Sequence, residues 1–256
     1  MDYSESAYRK VKNLMINARK YGSVPPTTFS YEIEPTDDTI YADPMRFLNN
    51  SVKEYRIPRT LGQNNYVEIW VEREPLKVYL DSVVKVLDVP VYVTGGYSSL
   101  SFVFEASQRL KEASKRDGSP RVIYLSDFSP ASLNMFESQV TEIGNHLGLT
   151  PNQASAIMLK SCVEPEHIVR FDLPIFNELP STQKTALFES TYSTRLQALG
   201  LPPICTVEIE SLNPKALSAI LSNILGSLFS ADKVREVIEL EKHNKELMYK
   251  FLEGKS

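Results

Sequence analysis

Hydrophobic residues along this chain follow two alternating patterns, one typical of strands and one typical of helices. The strand-like runs, rich in β-branched and aromatic residues, are 66–71, 89–93 and 122–125. The runs with apolar residues at helical spacing, each following one of these strands, are 74–87, 99–115 and 130–147. This alternation with short connections predicts an α/β domain with a parallel sheet flanked by helices.

The rest of the chain predicts mostly helix. The helices expected outside the alternating region are 5–20, 44–54, one from Thr150-Pro151, 182–199, 213–229 and 231–253. We expect a strand at 206–209 and a strand or extended segment at 167–173. The last helix carries one amphipathic stripe, which favours packing within its own chain over packing on a second subunit.

These elements predict three regions. The first is a mostly helical N-terminal extension, 1–62, with the character of a remnant DNA-binding region. The second is the α/β domain, 63–229, and the third is the C-terminal helix, 230–256.

Composition indicates which cellular compartment this protein is expected to occupy. No apolar run approaches the roughly 20 residues needed to cross a bilayer, so no membrane association is expected. The chain has only two cysteines, Cys162 and Cys205, without a metal-binding motif, which favours a reduced intracellular compartment, the cytoplasm. Its three histidines lack zinc-ligand spacing.

Charge is distributed unevenly along the chain. The net charge of −4 argues against a protein coated with basic residues for nucleic-acid binding. Between Ser6 and Ser30, however, there are basic residues and no acidic one. The basic residues of this segment are Arg9, Lys10, Lys12, Arg19 and Lys20. They form either a solvated helix face, which is the commoner case, or an arm that contacts phosphates.

Two acidic residues follow strands of the predicted sheet. Glu72 comes directly after the first strand, and Asp127 follows the third. Active groups of parallel α/β sheets collect at the carboxyl ends of strands, so these carboxylates converge if the two strands are neighbours. Converging carboxylates can hold Mg²⁺. The plainer alternative is that Asp127 caps the helix that begins near Pro130.

Four segments, in order, resemble the Toprim family. Segment 63–76 (QNNYVEIWVEREPL) is similar to its first strand and glutamate, and 91–99 (VYVTGGYSS) to its second strand and Gly-Tyr turn. Segment 124–132 (YLSDFSPAS) lies where the family carries Asp-x-Asp-Pro, and 206–214 (TVEIESLNP) resembles a late Glu-Leu-Asp-Ala-Leu-x-Pro segment. The closest resemblance is to the branch holding the topoisomerase VI A subunit, the meiotic double-strand-break proteins and small mobile-element relatives.

The resemblance implies a Toprim-like, Rossmann-like fold and a site for phosphodiester chemistry. Glu72 would act as general acid or base, and Asp127 with Ser129 would hold Mg²⁺. Ser129 stands where the family has its second aspartate, so the affinity for Mg²⁺ would be weakened or lost. Glu208 and Glu210 are candidates to compensate for the missing carboxylate.

A second departure concerns the nucleophile. The topoisomerase relatives carry a winged-helix domain with a catalytic tyrosine before the Toprim domain, and no matching Arg-x-x-Tyr-Tyr segment occurs here. Segment 8–22 resembles the part that follows this region in mobile-element relatives, so the chain resembles such a protein shortened at its front. The nucleophile stays unidentified, and the partners left open are a homodimer and a separate DNA-binding subunit.

Three functions are compatible with these observations. The first is a Mg²⁺-dependent enzyme that cleaves or transfers nucleic-acid strands, with DNA the expected substrate. The second is a catalytically degenerate Toprim domain that binds nucleic acid or a partner. The third is an unrelated α/β enzyme for small phosphorylated substrates, ranked last because it explains the strand-end acids but not the other matching segments; Glu72 and Asp127 lying far apart would favour it over the other two.

Overall fold

The chain divides into two compact units, Met1–Ser51 and Val52–Ser256. A computed structural model describes residues 43–95, 100–115, 118–176 and 185–254, together with Leu14 and Ala18. The helix predicted at 5–20 therefore lies outside the described residues, except for Leu14 and Ala18, which are helical. The sheet and the C-terminal helix both belong to the second unit.

The centre of the second unit is an all-parallel sheet. Its strands are β1 (Asn65–Val71), β2 (Val91–Val93), β3 (Ser119–Ser126) and β4 (Met158–Cys162). Their order is β2-β1-β3-β4, and every pairing is parallel. The predicted α/β fold with a parallel sheet is confirmed. β1 and β3 are therefore the two central strands, and β2 and β4 form the edges of the sheet.

Helices occupy most of the remaining described chain. They are α1 (Pro44–Glu54), α2 (Glu74–Val84), α3 (Leu100–Lys115), α4 (Pro130–Leu147), α5 (Pro151–Ile157), α6 (Pro165–Phe171), α7 (Ala186–Ala198), α8 (Pro214–Leu228) and α9 (Ala231–Leu252). Pro at the first helical position and side-chain caps begin several of them, as in α4, α5 and α8.

The helices bury both faces of the sheet. One face of β1, including Ile69, packs in a core with residues of α2, α7 and α8. The opposite face, including Trp70 and Tyr124, packs with residues of α3 and α4. This burial on both sides explains why β1 ends in an unbroken apolar run, 69–71, and why β3 contains another, 122–125.

A buried glutamate joins α3 to the sheet. Glu68 of β1 is fully buried and forms an ion pair with Arg109 of α3, at 2.7 Å from Nε to Oε1. The Tyr66 hydroxyl and the Trp70 indole N–H also donate to this carboxylate, at 2.7 and 2.8 Å. A buried charge is tolerated when it is paired and hydrogen-bonded, so we interpret this network as structural.

Two predictions from the sequence differ from the structure, and one strand was not predicted. The segment predicted as strand or extended, 167–173, lies largely in α6, because Pro165 starts a helix and the Glu164 N–H is satisfied by His167 Nδ1 at 3.2 Å. The predicted strand at 206–209 is reduced to single antiparallel bridges at Thr206 and Val207, followed by a 3-10 turn. Strand β4 was not predicted, because it follows α5 directly with no turn residue between them.

Candidate functional site

Glu72 and Asp127 lie at the topological switch point of the sheet, between β1 and β3. β1 and β3 are neighbours, with Val71 opposite Leu125, so Glu72 and Asp127 follow adjacent strands. Ligands of open α/β sheets bind at this kind of topological switch point, outside the carboxyl ends of the strands. The neighbouring strands that the sequence argument required are present, and the structure brings the two carboxylates into one site. We call this the switch-point site, formed by Glu72, Arg73, Asp127, Glu208 and Glu210.

Glu72 lies on the sheet side of the site. Its Oε1 accepts a hydrogen bond from the Tyr124 hydroxyl at 3.0 Å, and Ser132 is a second hydrogen-bonding neighbour. The pKa of Glu72 is raised, first by burial and then by the negative charge of Asp127. These effects outweigh the hydrogen bonds and the nearby Arg73, which lower it. A carboxyl with a raised pKa beside another acid is suited to carrying a proton.

Asp127 is the most buried acid of the site, with 9% of the residue exposed. Its two oxygens have different partners. Oδ1 accepts from the Ile209 backbone N–H at 2.9 Å, and Oδ2 accepts from Arg73 Nη2 at 2.8 Å. Burial raises the pKa of Asp127 despite these two contacts, which both lower it. The alternative that Asp127 caps α4 is wrong, because Ser129 occupies the N-cap position.

Arg73 occupies the space between the carboxylates. In addition to Asp127, its guanidinium lies 3.1 Å from Glu210 (Nη1 to Oε1) and 3.9 Å from Glu208 (Nη2 to Oε1). Although partial burial lowers the pKa of Arg73, the attraction of Asp127, Glu210 and Glu208 raises it overall. The site therefore contains its own permanent positive charge.

The segment that carries the two glutamates is positioned by pairing outside the main sheet. Val207 forms an antiparallel bridge with Phe128, and Thr206 forms one with Phe176. This pairing places the Ile209 N–H on Asp127 and brings Glu208 and Glu210 to Arg73. The two glutamates thus reach the site, which the sequence alone did not establish.

Ser129 has a role in the helix rather than in the centre of the site. Its Oγ accepts from the Ser132 backbone N–H at 3.0 Å and donates to Ser132 Oγ at 3.1 Å. The hydroxyl is therefore engaged at the first turn of α4. As it lies, it does not supply the ligand that the second aspartate would provide.

The residues of the site do not fit a divalent metal in this arrangement. Among the described residues, no group of three or more His, Cys, Asp or Glu side chains is placed to hold a metal ion. Both Asp127 oxygens are hydrogen-bonded to protein donors, and one of these donors is a cation. A Mg²⁺ ion would need oxygen ligands at about 2.0–2.1 Å and would be repelled by the adjacent guanidinium.

Sequence reasoning missed Arg73 of this site and Tyr124, which donates to Glu72. Arg73 follows Glu72 directly, so its position at the strand end could have identified it as a site residue. Its charge, however, is opposite to that of the expected metal ligands. Tyr124 lies within a strand and was counted only as an apolar strand residue. The predicted phosphate-contacting residues, Arg9 to Lys20, lie outside the described part of the chain.

Comparisons with known proteins identify no relative. No family model, curated protein or solved structure matches this chain. Among the helices that the structure describes, none is long and apolar enough to cross a membrane. The class of molecule shown is therefore an α/β domain with a parallel sheet flanked by helices, and its function is inferred from the switch-point site.

Proposed function

We propose that this chain is a Toprim-like, nucleic-acid-binding domain whose acidic site does not carry out metal-dependent cleavage. The observation that carries this proposal is the contact of Arg73 with Asp127, Glu208 and Glu210. Carboxylates that would bind Mg²⁺ in an active site are here paired with a cation of the same chain. Ser129, at the position of the second aspartate, is engaged as a helix cap.

Nucleic acid is the proposed ligand for two reasons. Four segments resemble the Toprim family in the expected order, which favours DNA as the nucleic acid. The segment with Arg9, Lys10, Lys12, Arg19 and Lys20 and no acidic residue is the part of the chain best suited to phosphate contact. The proposed setting is intracellular, with the cytoplasm favoured by the use of cysteine.

A binding experiment tests the proposal. Fluorescence anisotropy with labelled duplex DNA, single-stranded DNA and RNA would compare the wild type with a variant in which the five basic residues of 9–20 are replaced by Gln. If all five contact phosphates, the wild-type slope of log K against log[salt] is about −4.5 for duplex DNA, and the variant loses most of that slope.

A matched control keeps the change in net charge the same. The control variant replaces five basic residues from the exposed surface of the second unit, and these are Lys85, Arg170, Lys215, Lys242 and Lys250. It should bind like the wild type. Equal weakening of both variants would show nonspecific attraction, and no binding at low salt would overturn the proposal.

The second candidate is Mg²⁺-dependent phosphodiester cleavage. It is favoured by one observation, the raised pKa of Glu72 beside Asp127 at the switch point. Incubating plasmid DNA and labelled RNA with Mg²⁺ tests this activity in the wild type, Glu72→Gln and Asp127→Asn. Cleavage by the wild type that disappears in both variants would overturn the proposal of a non-cleaving domain. Substrate that stays intact with the wild type would support that proposal.

The small-substrate enzyme stays the last-ranked alternative. Glu72 and Asp127 belong to one site at neighbouring strand ends, which is compatible with that function. It leaves the other Toprim-like segments unexplained.

A further inference from the structure

Arg73 makes contacts that an external cation would otherwise make. Its guanidinium reaches carboxylates from two other parts of the chain, Asp127 after β3 and the pair Glu208 and Glu210. We infer that Arg73 is the cation of the switch-point site, in place of the divalent metal that the Toprim resemblance implies, and that guanidinium and metal exclude each other there. The inference rests on the proposed function for its biological meaning.

The contacts of Asp127 explain the exclusion. Its Oδ2 lies 2.8 Å from Arg73 Nη2, and its Oδ1 is held by the Ile209 N–H at 2.9 Å. A divalent cation would have to replace Arg73 at Oδ2, because the remaining oxygen is already engaged with the backbone. The guanidinium and a divalent metal ion repel each other and would use the same carboxylates. Binding of one therefore requires the other to leave.

Arg73 has an advantage over an ion from solution. It is attached to the chain at the end of β1, next to Glu72, so it is always present at high effective concentration. The guanidinium keeps its charge throughout the accessible pH range and offers several donors in a planar fork. With 44% of its side chain exposed, it can nevertheless leave the carboxylates without opening the core.

The acidic residues are supported independently of Arg73. Asp127 is fixed by the Ile209 N–H, and the segment before Glu208 is paired through Val207 to Phe128. Removing the arginine therefore leaves the carboxylates close together without their cation. Such a surplus of negative charge favours a divalent ion with oxygen ligands.

Direct titration with Mn²⁺, a spectroscopically visible substitute for Mg²⁺, tests the inference without nucleic acid. Free Mn²⁺ would be followed by electron paramagnetic resonance at pH 7.5 in the wild type, Arg73→Gln and the double variant Arg73→Gln/Asp127→Asn. We expect Arg73→Gln to bind Mn²⁺ at least tenfold more tightly than the wild type and the double variant to lose this gain. Equal affinity of the wild type and Arg73→Gln would overturn the inference.

Arg195→Gln is a matched control. Arg195 of α7 also joins two carboxylates, at 2.9 Å from Glu164 and 2.6 Å from Glu166, but on the exposed surface. Removing it takes the arginine away from two surface glutamates and involves no buried aspartate. We expect no gain in Mn²⁺ affinity, and a gain equal to that of Arg73→Gln would show that removing any arginine from a carboxylate pair suffices and would overturn the inference.

A second variant covers failure to fold. Circular dichroism would first establish whether Arg73→Gln is folded, and folding only in the presence of Mn²⁺ would support the inference. If it stays unfolded, Arg73→Met replaces it, since methionine keeps a long unbranched side chain but carries no charge. Arg73→Met should bind Mn²⁺ more tightly than the wild type, and no gain would overturn the inference.

The outcome separates the two proposals. Wild-type binding to nucleic acid with no Mn²⁺ gain in the Arg73 variants would remove only the inference about Arg73. A Mn²⁺ gain with no nucleic-acid binding by the wild type would remove only the proposed function.

Discussion

Glu72 and Asp127 are acids of one site with different surroundings. Glu72 accepts hydrogen bonds from neutral hydroxyl groups, whereas Asp127 accepts from Arg73 and a backbone N–H. Both have a raised pKa, with burial the largest cause in each. Ionising either carboxyl therefore costs stability in the folded site, and Arg73 offsets part of that cost.

Glu72→Gln should stabilise the domain at neutral pH. The folded-state pKa of Glu72 is raised above its ordinary value of 4.5, so the folded state favours the protonated carboxyl. The stability gained from that proton is present below pH 4.5 and is lost as the pH rises through the raised pKa. Gln does not titrate, so the advantage of the variant should grow from pH 4 to pH 8.

Urea unfolding across this pH range measures the effect. Glu137→Gln, at an exposed position of α4, is the control and should show no such growth with pH. A Glu72→Gln variant that is less stable than the wild type by the same amount at every pH would mean that the hydrogen bond to Tyr124 dominates.

At the scale of elements, the start of α4 links fold and site. Ser129, where the Toprim motif that this sequence resembles has an aspartate, is also the N-cap of α4 and is buried. A neutral residue there keeps the cap while removing a charge from the site. The departure is therefore compatible with folding, since serine and aspartate are both good N-cap residues.

Ser129→Ala should destabilise the domain by about 1 kcal/mol, because the Ser132 N–H loses its acceptor. Ser129→Asp keeps a capping oxygen and should retain most of the stability. Ser230→Ala, which removes the longer 3.4 Å cap of α9, provides the comparison and should cost less. Urea unfolding of the three variants measures these differences, and an unchanged Ser129→Ala would show that its cap contributes nothing.

Element prediction succeeded where the local signal was complete. Helix α4 was predicted with the observed bounds, because Pro130 begins it and Gly148, with φ of +67°, ends it. The segment around Ile168 was mistaken for a strand because its β-branched residues outweighed the Pro165 start signal. Strand β4 was missed because no turn separates it from α5.

At the scale of the whole molecule, α9 is joined to the sheet domain through a buried ion pair. Glu241 Oε2 lies 2.7 Å from Arg59 Nη1 and accepts from the Ile57 backbone N–H at 2.9 Å. These contacts hold the pKa of Glu241 at about 2, with the hydrogen bond from Arg59 the largest cause. The C-terminal helix therefore contacts its own chain, although Ile238, Leu247 and Phe251 of its apolar stripe are exposed.

Glu241→Gln should destabilise the second unit by about 3 kcal/mol at pH 7, because Arg59 stays buried without its charged partner. The lowered pKa of Glu241 contributes stability above its ordinary value of 4.5, and this contribution is lost as the pH falls toward 2. The wild type and the variant should therefore converge in acid. Chemical unfolding from pH 3 to pH 7 tests this, with exposed Glu239→Gln as the control, and a difference independent of pH would contradict it.

The sequence by itself determined the α/β architecture and the two strand-end acids. Hydrophobic periodicity is a local property, and β1 with its following helix carries it without reference to the rest of the chain. Placing Glu72 and Asp127 at carboxyl ends of strands needed only the strand bounds. Strand order, the remaining condition for their meeting, depends on contacts between distant residues.

Only the tertiary structure decided what the acidic site contains. Arg73 is adjacent to Glu72 in sequence, but its partners Glu208 and Glu210 arrive through the bridge between Val207 and Phe128. Which charge faces which is set by such long-range packing, and no local pattern encodes it. The same acids that suggest a metal site in the sequence therefore form, in the folded protein, a site occupied by its own arginine.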